Sequence, residues 1–231
     1  MTAKALVGTA AADWTALSVA MGRTMIPYIA VLSSLLFAVA PLPDVRRIRV
    51  AKSTLTLPFG PFFFYLLQSA LFLLYACVTS NRLLQTTTTV GAVLGAYYVA
   101  TYYTYTLEKR LARWYLLLGA LLYVFLLHGA MVKPTHEAKV LVGIPGNIVM
   151  VLTAVSPLSK LPDIIRRRDA SCLPVGMSIM NVVAGGVWTL YGLMLDDMVV
   201  VFPNAISTLV GFVQVGLLAK YPPTLKDQHV V

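Results

Sequence analysis

The chain has 231 residues, of which 58% are hydrophobic and only 12% charged, too little polar surface to cover a soluble globule. Its 18 Lys and Arg against nine Asp and Glu give a net charge of +9. The cations fall in short segments between apolar runs, a placement that argues for membrane orientation and against nucleic acid.

Residues 1–24 open the chain. The stretch 5–20 is mildly apolar but carries Asp13 and lacks a basic start with a Leu-rich core, so no cleaved signal peptide is expected. Seven apolar spans follow, at approximately 26–43, 57–78, 83–106, 114–131, 140–165, 173–195 and 198–219. Each is near the roughly 20 residues that cross about 30 Å of hydrocarbon as a helix. The gaps are too short for a soluble domain, which leaves an all-α, multi-pass protein of the lipid bilayer with a short tail at 220–231. Cys77 and Cys172 end different spans on opposite sides of the bilayer, so no disulfide is expected.

With the N-terminus outside, the cytoplasmic loops and tail hold Arg46, Arg47, Arg49, Lys52, Lys109, Arg110, Arg113, Arg166, Arg167, Arg168, Lys220 and Lys226, twelve of the 18 basic residues. The other face receives Lys4, Arg23, Arg82, Lys133 and Lys139, while Lys160 lies near the inner end of its span. Retention of Lys and Arg on the cytoplasmic side puts the C-terminus in the cytoplasm. The plasma membrane is the expected location, with an internal membrane left open. Solvated loops are the expected reading of the basic clusters, ahead of a site for anionic headgroups.

Sliding the chain on itself so that Pro41 meets Pro157, an offset of 116 residues, reveals an internal repeat. Pro58 then meets Pro174, Gly60 meets Gly176, Leu74 and Tyr75 meet Leu190 and Tyr191, and Gly95 meets Gly211. Two three-helix units in the same orientation need an odd number of crossings between them. The unmatched span 114–131 supplies it, giving an external segment 1–24, a first repeat 25–110, a linker helix 111–135, a second repeat 136–219 and a tail 220–231. Parallel repeats of this kind occur in secondary transporters with the solute site at the midplane between the halves. Proline in a helix interior removes a hydrogen bond and bends the rod. Pro41, Pro58, Pro157 and Pro174 are therefore expected to form a hinge at one depth, with static kinks as the alternative.

The second half carries GIPGN (143–147), SPLSKLP (156–162), LPVGMS (173–178), WTLYG (188–192) and VFPN (201–204); the first carries APLPDVRRIRVAKSTLTLPF (40–59) and LFLLYA (71–76). This string resembles the SWEET sugar transporters, the MtN3/saliva family, over about residues 25–222. The GN pair of the family's first helix is absent. The resemblance implies a pocket lined by Trp188 and its repeat mate Phe72, and by Asn204, whose mate Thr88 replaces an asparagine. Such a pocket also has a physical rationale, because a sugar needs paired donors and acceptors and a ring to pack on. Plain packing for Trp188 and an interhelical bond for Asn204 are the alternatives. The resemblance adds Ser34, Phe37, Met150 and Thr153 as lining, the proline tetrad as an inner gate, and Tyr75, Tyr191, Asp197 and Pro203 as an outer gate. Arg82 is near enough in sequence to pair with Asp197. Bulky Phe37 favours a monosaccharide over a disaccharide.

No GxxxxGK[ST] loop is present to bind a nucleotide, and all nine acidic residues fall in loops or near helix ends, so neither pumping nor proton coupling through a buried acid is expected. His128, His136 and His229 are not spaced as metal ligands. The reading is a facilitative sugar transporter, taking its solute from either side by alternating access, with no cofactor and no enzymatic activity. A PQ-loop amino-acid transporter would carry Pro-Gln where this chain has Pro41-Leu42 and Pro157-Leu158. A non-transporting sorting receptor of the same fold, and a homo-oligomer, are left open.

Overall fold

The computed structural model describes residue 22 and residues 24–54, 57–155, 158, 160–170, 173 and 175–222. Among these every regular element is helical: α1 (24–39), α2 (Leu42–Ala51), α3 (Phe59–Val78), α4 (Arg82–Tyr105), α5 (Lys109–Val132), α6 (Thr135–Val155), α7 (Leu161–Arg167), α8 (Val175–Met194) and α9 (Met198–Lys220). α1 and α2 form one interrupted rod, and α7 stands to α6 as α2 stands to α1, which leaves seven crossings.

Five of them are long and apolar enough to cross a membrane on composition alone. α4 is diluted by Thr86, Thr87, Thr88 and Thr89. These four hydroxyls each donate to the carbonyl four residues earlier, on Arg82, Leu83, Leu84 and Gln85. A hydroxyl satisfied by its own helix carries little penalty in hydrocarbon, so α4 spans despite its composition.

The repeat is written into the backbone. Shifted by the same offset, Phe59–Val78 superposes in sequence on Val175–Met194, and α4 begins at Arg82 where α9 begins at Met198. The left-handed residues obey it too: Lys52 pairs with Arg168 and Ser80 with Asp196, all at φ of 49 to 54°. Lys52 N–H caps Ile48 O and Arg168 N–H caps Ile164 O, again mates. A non-glycine residue in this region is disfavoured, so its recurrence in both halves marks an inherited turn.

Glycine sets the closest helix contacts. A Cβ on Gly95 would lie 3.0 Å from Leu66 Cα, and one on Gly211 would lie 2.8 Å from the mate's backbone, Val182 N. Thus α3 meets α4, and α8 meets α9, through main chain. Gly211→Ala is expected to cost about 1–3 kcal/mol, since neither helix can yield locally. Thermal unfolding in detergent checks this against Gly216→Ala, where no atom lies within 4 Å and the midpoint should hold or rise.

The proline expectation needs correction. Pro41 does interrupt the first rod: it offers no N–H, Ala40 N–H turns back to Phe37 O at 3.2 Å, and helix resumes with Val45 N–H on Pro41 O at 3.1 Å. Pro58, however, is the extended N-cap of α3, at φ −78° and ψ 150°. It precedes the helix, displaces no hydrogen bond, and bends nothing. Pro157 and Pro174 lie outside the described residues, as does Cys172. Pro145 lies inside α6 and Pro203 inside α9.

The apolar core centres on α3, whose Phe59, Phe62, Phe63, Leu67, Leu71 and Phe72 are buried with Tyr98 and Tyr102 of α4. α5 packs one edge on this core, where Gly119 abuts the Phe63 ring, and leaves Leu117, Leu118, Leu121, Val124 and Phe125 exposed. A helix with that much apolar surface outward faces lipid.

Candidate functional site

A cavity of about 460 Å³ lies between the two repeats, within the roughly 300–1,000 Å³ of small-ligand sites. All eight residues expected to line a pocket do line it: Ser34 and Phe37 from α1, Phe72 from α3, Thr88 from α4, Met150 and Thr153 from α6, Trp188 from α8 and Asn204 from α9. Among the described residues Asp44, near one end, is the only charged side chain on the wall.

Its walls keep the symmetry of the chain. Thr88 Oγ1 donates to Leu84 O at 2.6 Å, and Asn204 Nδ2 donates to the equivalent carbonyl, Val200 O, at 2.7 Å. Each polar group is thus held by its own helix, which leaves the Asn204 carbonyl and the Thr88 oxygen as acceptors. Phe72 meets Tyr75 edge-on with centroids 6.3 Å apart, and Trp188 meets Tyr191 likewise at 5.3 Å. Trp188 also donates Nε1–H to Ser34 Oγ at 2.7 Å, a bond across the repeats that Phe72 and Met150, their mates, have no polar atoms to form.

One turn beyond the lining residues Phe72, Trp188 and Val200, reciprocal bonds join the halves. Tyr75 Oη donates to the Asp197 carboxylate at 2.8 Å, and Tyr191 Oη donates to Asn81 Oδ1 at 3.2 Å. Asp197 and Asn81 are repeat mates, and each caps its helix, accepting from Val199 N–H and Leu84 N–H at 3.1 Å. Lys139 Nζ lies 3.4 Å from Asp197 Oδ1; it, and not Arg82, is the cation beside this acid. Asp197 is also only 6% exposed, so the expectation of no buried carboxylate fails here. Burial is tolerated because a hydroxyl, a backbone N–H and an ammonium surround it. Pro203 is fully buried in α9, next to Asn204, and takes no part in these bonds. At the opposite end Ala40, Pro58 and Pro61 line the cavity and are exposed, so the mouth lies there, with Pro41 beside it.

Sequence reasoning missed Tyr65, Gln68, Asn181 and Gln214, which share the wall. Gln214 is 1% exposed and its Nε2 has no partner; Asn147 Oδ1 is likewise buried and unpaired. A lone amide inside an apolar span was the available signal for both. Asn81 was findable as the repeat mate of Asp197.

The arrangement in two equivalent halves is matched by comparison with known families. The family described as "sugar efflux transporter for intercellular exchange" matches this chain twice, at residues 24–110 and 140–226. The chain belongs to that family. Similar SWEET proteins include the sugar transporter SWEET1 of Dictyostelium discoideum, 26% identical over 87% of this chain and 94% of the relative. The sugar transporter SWEET1 of Papio anubis is 30% identical over 79% and 84%, and the bidirectional sugar transporter SWEET12 of Oryza sativa subsp. japonica is 29% identical over 85% and 67%. Among solved structures, that of a eukaryotic SWEET transporter superposes with a TM-score of 0.78 at 24% identity, covering 87% of this chain and 97% of that one. The chain therefore has the SWEET fold, with its two repeats.

Proposed function

We propose that the protein is a facilitative transporter of a small neutral sugar, a monosaccharide such as glucose, working by alternating access without ion coupling. The observation that carries this reading is the cavity wall, which combines aromatic faces and uncharged hydrogen-bonding groups from both repeats and, among the described residues, holds one charge, Asp44, near the mouth. A charged or proton-coupled solute would require a compensating charge at depth. In this reading Trp188, Asn204, Phe72 and Thr88 grip the sugar, with Ser34, Phe37, Met150 and Thr153 shaping the space around it. In the same reading Tyr75, Asp197, Tyr191 and Asn81 form the outer closure, and the exposed mouth beside Pro41 opens on the cytoplasmic side. The N-terminus is outside and the plasma membrane is the home membrane. Two triple-helix units, joined by α5, rock about the site.

Proteoliposomes holding the purified protein are expected to take up radiolabelled glucose saturably, in either direction, at a rate unchanged by an imposed pH gradient, and to take up sucrose far more slowly. Flux that follows the pH gradient would overturn uniport, and absence of flux for both sugars would overturn the sugar reading.

A further inference from the structure

A second cleft, of about 520 Å³, lies between α2 and α4 and is lined by Leu42, Arg46, Arg49, Val50, Tyr97 and Tyr105. It is separate from the sugar cavity, with which it shares no residue. Arg49 Nη1 donates to Tyr97 Oη at 3.1 Å. That bond aims the guanidinium and leaves the tyrosine hydroxyl hydrogen free to donate elsewhere. Among the described residues no carboxylate pairs with Arg46 or Arg49, so two exposed cations and two phenols converge without an anion.

The fold does not require this chemistry. Under the repeat, Arg46, Arg49 and Tyr97 correspond to Pro162, Ile165 and Val213. The second half builds the same helices without the guanidinium pair or the hydroxyl that orients it. What one copy has and the other lacks serves something other than folding.

We propose that this cleft binds the phosphomonoester headgroup of an anionic phospholipid of the leaflet on the Pro58 side. Guanidinium matches phosphate through paired, charge-assisted hydrogen bonds, and tyrosine hydroxyls supply further donors. The surroundings select a lipid over a free phosphate. Leu42, two turns before Arg49 on α2, is 37% exposed, and Val93, one turn before Tyr97 on α4, is 64% exposed. An apolar track therefore leads from the phosphate site toward the bilayer centre, where acyl chains would lie.

The test is native mass spectrometry of full-length protein released from vesicles of phosphatidylcholine with phosphatidic acid or, separately, with phosphatidylserine. Wild-type protein is expected to retain one phosphatidic acid roughly tenfold to thirtyfold better than the Arg46→Gln, Arg49→Gln double variant. Tyr97→Phe, which removes only a hydroxyl, should lie between them. Arg110→Gln, a charge loss at the start of α5, should match wild type. Equal retention by the double variant overturns the proposal. So does equal retention of phosphatidylserine, which would mean diffuse surface charge, and so does displacement of the lipid by millimolar inorganic phosphate, which would mean a soluble ligand.

Discussion

Trp188→Ala is expected to abolish saturable glucose uptake, and Trp188→Phe to retain it at a reduced rate. The indole is 7% exposed, covers the cavity beside Tyr191, and is fixed by its bond to Ser34. Truncation removes the ring face on which a sugar would pack and leaves a void, a change costing about 3–5 kcal/mol for a buried tryptophan. Phenylalanine restores the chemistry already present at Phe72 and gives up only the Nε1–H bond, about 1 kcal/mol. Asn204→Thr reproduces Thr88 in the same way: the threonine keeps a bond to Val200 O but offers a sugar no amide carbonyl. One lost hydrogen bond of about 0.5–1.5 kcal/mol predicts a roughly twofold to tenfold rise in KM. The measurement is the initial rate per folded transporter in proteoliposomes. Wild-type KM in both Trp188→Ala and Asn204→Thr would remove the site from this cavity.

Asp197→Ala is expected to lower stability by about 2–4 kcal/mol, whereas Asp197→Asn should leave it within about 1 kcal/mol. Alanine deletes the acceptor for Tyr75, the cap of α9 and the partner of Lys139 together. Asparagine keeps the first two and copies Asn81, which already serves the other half. The charge alone is then tested: Asp197→Asn weakens the outer closure without dismantling it, so the sealed state becomes less populated. Thermal unfolding separates the variants in stability, and binding of a non-permeant sugar analogue from outside reads the closure. Equal unfolding midpoints for Ala and Asn would show that the buried acid is not supported by the bonds described.

The bilayer makes the number of crossings legible, because it demands a long apolar run for each helix, and the offset that aligns Gly95 with Gly211 divides the chain into its halves from residue spacing alone. The lining set was legible through the family resemblance, which singled out Trp188, Asn204, Ser34, Phe37, Met150 and Thr153; the repeat offset then supplied the mates Phe72 and Thr88. Lys139 was not legible as the partner of Asp197, since 58 positions separate them and only the packing of α6 on α9 brings them together. Nearness in chain favoured Arg82 and misled. Pro58 misled for a different reason. A proline just inside an apolar run reads the same whether it bends a helix or starts one, and the extended backbone that decides between them is a property of the loop that leads into it.

Helices that touch through glycine cannot slip past one another, because there are no side chains between them to repack and the next Cβ along would strike main chain. The hairpins α3–α4 and α8–α9 are therefore stiff levers, rigid in shear along their length. A tilt begun at the Asn81 or Asp197 end must arrive as an opposite swing at the far end. We propose that the slack is taken up in the first rod, where Ala40 and Pro41 already interrupt it.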